Sequence, residues 1–163
     1  MNEGPIVCNA GPLITLASVA QLDLLRALYR RVVVPQPVID EIVQSGAGRT
    51  GAIEVGSASW IEAVPSPGEM DPLLAAELGA GESAVLSIAV QLRAPLALID
   101  ERRARRIATQ VYGLTVKGTA GILVEAKRAG LLPSIRPLLE RIVQRGYFLS
   151  AHLVESACHS AGE

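Results

Sequence analysis

Glu82 and Asp100 are carboxylates at the edges of apolar secondary structure, where an acid is costly unless something compensates it. Glu82 follows Gly79-Ala80-Gly81 and opens a predicted helix in which Ser83, Ser87 and Gln91 recur at a spacing of four as one polar stripe. It stands off that stripe. It shares a face with Leu86, Ala89 and Val90, so its carboxylate is expected to point toward the protein. Asp100 ends the run Leu96-Ala97-Leu98-Ile99, which reads as a buried parallel strand, and open α/β sheets bind ligands beyond the carboxyl ends of such strands. Each acid also has a plain structural explanation: Glu82 complements the dipole of a first helical turn, and Asp100 caps the helix after it. Their occurrence together on one rim favours chemistry.

Asn9 ends the first predicted strand, Thr119 follows the last, and either Asp40 or Glu41 reaches in from the helix after the second. In that helix Val38, Ile39, Ile42 and Val43 set the buried side, and the two acids flank it about equally. The cluster has carboxylates and an amide but no histidine or cysteine, and hard oxygen donors suit Mg²⁺ or Mn²⁺ rather than zinc. Metal-assisted phosphodiester hydrolysis is the reaction this donor set implies. Arg102, Arg103, Arg105 and Arg106 beside Asp100 offer pairing with the phosphates of an RNA strand, a screen for the acids, or simply a solvated helix face. Thr119, after Gly118 at a helix start, offers a hydroxyl and backbone amides to a phosphate, or serves as a plain cap.

The elements that position these residues are legible from periodicity. Ile6-Val7-Cys8 reads as a short buried strand, turned by Asn9-Ala10-Gly11-Pro12 into two helical pieces over residues 12–30. Arg31-Val32-Val33-Val34-Pro35 is a second strand, Pro37 opens a helix over 38–44 that stops before Gly46 and Gly48, residues 50–59 are weakly helical, and 60–64 is a third strand. Pro65-Ser66-Pro67-Gly68 breaks the chain into two halves. Helix 82–92, strand 96–99, helix 101–111, strand 114–117 and helix 119–129 then alternate through short loops, which implies right-handed crossovers and a parallel sheet. Gly113 and Gly130 fall where helices end. After Pro133 come an amphipathic helix carrying Ile135, Leu138, Leu139, Ile142 and Val143 on one side, and a last helix capped by Ser150.

A length of 163 residues fits one core, and the apolar half of the chain is Ala, Val, Leu and Ile rather than aromatic, as expected of helices covering a parallel sheet. A net charge of −1 argues against a large nonspecific basic surface. Cys8 and Cys158 have no metal-ligand spacing and read as a buried strand thiol and a tail thiol, not a disulfide or zinc site, and a cytoplasmic setting fits. No membrane span or export signal is expected. His152 and His159 lie in the tail and are not expected to be catalytic.

Four blocks, Ile6-Val7-Cys8-Asn9-Ala10-Gly11-Pro12-Leu13-Ile14, Val34-Pro35 with Val38-Ile39-Asp40-Glu41-Ile42, Gly79-Ala80-Gly81-Glu82-Ser83-Ala84, and Leu98 to Arg106, resemble the successive motifs of PIN domains. The likeness is greatest to a prokaryotic PIN-like group related to VapC-type toxins, and it covers roughly residues 5–130. It implies a three-layer α/β/α domain over residues 1–130 with a mostly parallel sheet of four to five strands; the amphipathic helices after it, 131–163, read as an extension packed on the same domain or on a dimer partner. It also implies a Mg²⁺- or Mn²⁺-dependent endoribonuclease, the toxin of a toxin–antitoxin pair, homodimeric, with RNA and an antitoxin protein as partners. Carried over residue by residue, Glu41, Glu82 and Asp100 match three acids of the family site; Arg102, Arg103, Arg106 and Thr119 are expected at RNA from their own charge and placement beside Asp100 and at a helix start. Asn9 falls where the family normally has an aspartate, and Ala10 where a small hydroxyl residue is common. An amide oxygen can ligate a metal but brings neither charge nor base, so a PIN-like module that binds RNA or protein without cleaving is the alternative reading. A flavodoxin-like or receiver-like domain shares the alternating architecture, with Lys117 alone available as a receiver-type lysine.

Overall fold

The computed structural model describes residues 4–46 and 49–163; the expectation for Gly48 lies outside them. Five strands, β1 (Ile6–Cys8), β2 (Val32–Pro35), β3 (Ile61–Val64), β4 (Ala97–Leu98) and β5 (Val116–Lys117), form one sheet in the order β3-β2-β1-β4-β5. Every pairing is parallel. The expected strands all appear, within the residue or two by which element ends vary. β1 and β2 lie at and beside the centre and are buried throughout, which is why they carry continuous Ile and Val rather than an alternating pattern.

Helices flank this sheet as the outer layers of an α/β/α sandwich. Along the chain they are α1 (Ala10–Ser18), α2 (Leu24–Leu28), α3 (Gln36–Asp40), which continues as a π-helical turn (Glu41–Ser45), α4 (Ala52–Ser57), α5 (Pro72–Glu77), α6 (Ala80–Gln91), α7 (Arg102–Gln110), α8 (Thr119–Arg128), α9 (Arg136–Gln144) and α10 (Ala151–Ser160). α6 packs on β1, β2 and β4 with α3 beside it, while α1 packs with α4 and α8, and α8 with α10. Ile135, Leu139, Ile142 and Cys158 of the last helices share one continuous core with Val7, Val33 and Leu98 of the sheet. No helix among the described residues is long and apolar enough to cross a membrane.

α5 is the element the periodicity does not announce. Asp71 caps it by accepting from the Leu73 N–H at 3.0 Å, and Pro72 occupies its first position. α5 also corrects the polar stripe expected on α6. Ser83 is buried beneath α5 and donates its hydroxyl to the Leu74 carbonyl at 3.1 Å, and Val90, expected to face inward, is 43% exposed.

Candidate functional site

An open cleft of about 1520 Å³ runs from the carboxyl ends of the strands along α8 and α10, and Asn9, Glu41, Glu82 and Asp100 all line it. Asp100 is the best fixed of the four. The parallel register pairs Leu98 with Lys117, so two residues further on Asp100 and Thr119 stand side by side. The Thr119 N–H donates to Asp100 Oδ1 at 2.7 Å and its hydroxyl to Oδ2 at 2.6 Å. Glycines make the room. A Cβ on Gly118 would stand 2.9 Å from Asp100 Oδ1 and 2.5 Å from Arg105 Nη1, and one on Gly11 would stand 3.2 Å from Asp100 Oδ2.

Asp100 does not cap α7. Glu101 does, accepting from the N–H groups of Arg103 and Ala104 at 2.9 and 2.7 Å, which leaves Asp100 to the cleft. Thr119 is likewise no plain cap, because Gly118 holds that position and both Thr119 donors are spent on Asp100.

Asn9 is buried at the end of β1, its N–H donating to the Leu98 carbonyl at 2.9 Å. It occupies the N-cap position of α1 without a side-chain capping bond. Burial pushes the neighbouring Cys8 thiol well above its usual range, and the Asp100 charge adds to this. Cys8 is therefore a neutral core residue rather than a reactive thiolate.

The ambiguity between Asp40 and Glu41 resolves by placement. Asp40 accepts from Gln36 at 2.8 Å on the exposed side, whereas Glu41, at the start of the π-helical turn, lines the cleft. A Cβ on Gly81 would stand 3.3 Å from Glu41 Oε2, so this carboxylate lies over the first turn of α6. Glu82 turns back over the glycine that precedes α6, its Oε2 lying 2.9 Å from where a Gly79 Cβ would be.

Among the described residues, no three His, Cys, Asp or Glu side chains stand close enough together to hold a metal ion. The donor set nevertheless fits a hard cation in kind, since the four side chains offer only oxygen or amide groups and the glycines around them leave space.

The basic residues divide. Arg102 and Arg105 line the cleft, with Arg105 donating to the Ile99 carbonyl at 3.3 Å. Arg103 instead pairs with Glu77 of α5, and neither it nor Arg106 lines the cleft. Lys117 and Arg128 line the cleft too, positions that sequence reasoning did not assign to the site. Lys117 is held by Glu125, which also accepts from Tyr29 at 2.6 Å, and Arg128 donates to the Ser160 carbonyl at 2.7 Å. Burial and the Glu125 bond raise the Tyr29 phenol far above its ordinary range. His152 and His159 are exposed on α10 outside the cleft, and Cys8 and Cys158 are both free and buried.

An all-parallel sheet between helical layers, with carboxylates gathered beyond its strand ends, defines an α/β/α domain with an acidic cleft. A family model described as a PIN domain matches residues 5–163, and the chain belongs to the PIN-domain family. The match runs through α9 and α10, beyond the blocks that carry the sequence resemblance. No curated protein matches the chain. PIN domains generally use divalent metal ions.

Proposed function

We propose that this protein is a Mg²⁺- or Mn²⁺-dependent endoribonuclease, cytoplasmic and homodimeric, acting as the toxin of a toxin–antitoxin pair. The observation that carries the reading is the gathering of Asn9, Glu41, Glu82 and Asp100 on one cleft in a chain of the PIN family. Residues 1–130 supply this chemistry, and 131–163 are an extension that walls the cleft. Glu82, Asp100 and the Asn9 amide oxygen would hold the ion, which when bound polarises a phosphate and acidifies water. Glu41 orients the attacking water and takes its proton. Thr119 keeps the Asp100 carboxylate in one orientation, the part that outer partners play at metal sites. Arg102 and Arg105 pair with backbone phosphates.

The test is cleavage of RNA by wild type and Asp100→Asn with Mg²⁺ or Mn²⁺, and with chelator. Cleavage that needs the metal and is lost in the variant supports the assignment, and equal activity in the two proteins sinks it.

Asn9 favours a second reading, a PIN-like module that binds RNA or a basic partner segment without cleaving it. Here Asn9→Asp is the informative variant. If it raised Mn²⁺ affinity and switched on cleavage in an otherwise inert protein, the module would be the native function.

A further inference from the structure

Thr119 can give both of its donors to one carboxylate only while the turn that carries it, Lys117-Gly118-Thr119, keeps its shape. Gly118 does little to keep it. The site needs a glycine there for room, since a Cβ would stand 2.9 Å from Asp100 Oδ1, yet a residue without a Cβ restrains its own backbone least. The turn must therefore be held from outside.

Glu125 holds it. Lys117 ends β5, and its stem lies along the start of α8, where a Cβ on Gly121 would stand 2.7 Å from Lys117 Cγ. The ammonium reaches Glu125 Oε2 nearly two turns into α8, so one ion pair ties the strand before the turn to the helix after it. The Tyr29 hydroxyl donates to the same oxygen at 2.6 Å and fixes the carboxylate from the end of α2. The Lys117 and Glu125 side chains are 30% and 36% exposed, so water and salt screen this pair less than one on the open surface. Lys117 is thus the strand's end of a tie.

We propose that Glu125 is a positioning residue for Asp100: through Lys117 it holds the turn that presents both Thr119 donors, and so sets how firmly the cleft binds a divalent cation. The cation rests on the metal-dependent reading above. Glu125 acts through Lys117 and Thr119, not on the ion.

The full chain is compared as wild type, Glu125→Gln, Lys117→Met, Thr119→Ala and the two double variants with Thr119→Ala. Mn²⁺ affinity is read by electron paramagnetic resonance without RNA, and amide hydrogen exchange by NMR without metal. Glu125→Gln and Lys117→Met should each weaken Mn²⁺ binding about threefold, less than the roughly tenfold expected when a direct outer partner is lost. A plain charge effect has different signs, because losing the Lys117 charge would tighten the binding of a cation and losing the Glu125 charge would weaken it. Both variants should speed exchange of the Thr119 N–H, which donates to Asp100. They should leave the Ile122 N–H, bonded to the Gly118 carbonyl at 3.0 Å, as protected as in wild type. In the Thr119→Ala background each effect on Mn²⁺ should shrink, as coupled groups do not add.

Tighter or unchanged Mn²⁺ binding by Lys117→Met overturns the proposal, as do effects that add fully to that of Thr119→Ala. So does faster exchange of Ile122 together with Thr119, which would make the ion pair a support of α8 alone. Mn²⁺ binding without RNA cleavage by wild type would remove the nuclease and leave the positioning standing. No Mn²⁺ binding by wild type removes both.

Discussion

The cleft has two unlike sides. On one, Asp100 is clamped by both donors of Thr119 at a position that Gly11 and Gly118 keep clear. On the other, Glu41 and Glu82 lie over the glycines that begin α6 and accept no hydrogen bond among the described residues. Paired strands carry the first side, so it inherits the stiffness of the sheet. The second rests on a π-helical turn and a first helical turn, and its long side chains keep their torsional freedom. Under the proposed function, the sheet supplies a fixed anchor and the helices supply adjustable groups that close on it.

This difference predicts unequal tolerance to conservative change. Asp100→Asn and Asp100→Glu should both lower RNA cleavage by at least about 100-fold, the upper end of what disturbing a metal site's outer partners costs. The amide lacks the charge, and the longer acid does not fit between Thr119 and the two glycines. Wild-type-like turnover by Asp100→Glu would show that the anchor is not fixed. Removing the clamp instead of the acid is the next effect in size. Thr119→Ala loses one of two hydrogen bonds to Asp100 and should cost about tenfold, while Thr119→Ser keeps the hydroxyl and most of the activity. Single-turnover rates at saturating Mn²⁺ separate the two variants.

On the adjustable side, shortening Glu41 or Glu82 to aspartate keeps the charge. Each should cost less than about tenfold, because an unfavourable rotamer of about 0.5–1.5 kcal/mol covers the altered reach. A loss as large as that of Asp100→Glu at either position would erase the distinction between the sides.

How much of this was legible beforehand follows the same division. Five strands, the parallel sheet and the end-of-strand placement of Asn9 and Asp100 were readable because buried strands announce themselves as apolar runs bounded by turns. Periodicity could not choose between Glu41 and Asp40, since both acids flank the same apolar stripe; the family resemblance pointed to Glu41, and in the structure Asp40 accepts from Gln36 while Glu41 lines the cleft. The Thr119 clamp follows from the register of β4 on β5, which a single sequence does not state. α5 was not assigned although Asp71-Pro72 is an ordinary helix start, because six residues are too few to show a helical repeat. Arg128 and Phe148 reach the cleft through the packing of α8, α9 and α10, and no local pattern encodes that.

The wall formed by those helices has its own fastening, and it gives the smallest predicted effect. Glu163 accepts from the Ser134 hydroxyl at 2.6 Å and from the N–H groups of Ile135 and Arg136 at 2.7 and 3.2 Å, and it pairs with Lys127 of α8 at 3.1 Å. One carboxylate thus ties the start of α9 to α8, the helix whose first residue clamps Asp100. The Ser134 bond first, then the backbone bonds and Lys127, hold its pKa at about 2, below the ordinary 4.5. A carboxylate whose pKa is lower when folded than when unfolded stabilises the fold above the unfolded value, and that contribution fades as pH falls through the folded one. The stability that Glu163 supplies should therefore be fully present above about pH 4.5 and lost progressively toward pH 2. Urea midpoints at pH 6 and pH 3 for wild type and Glu163→Gln measure it. Wild type should be the more stable at pH 6, and the gap should narrow at pH 3. A gap that stays constant with pH would mean that the carboxylate's charge does not fasten these helices.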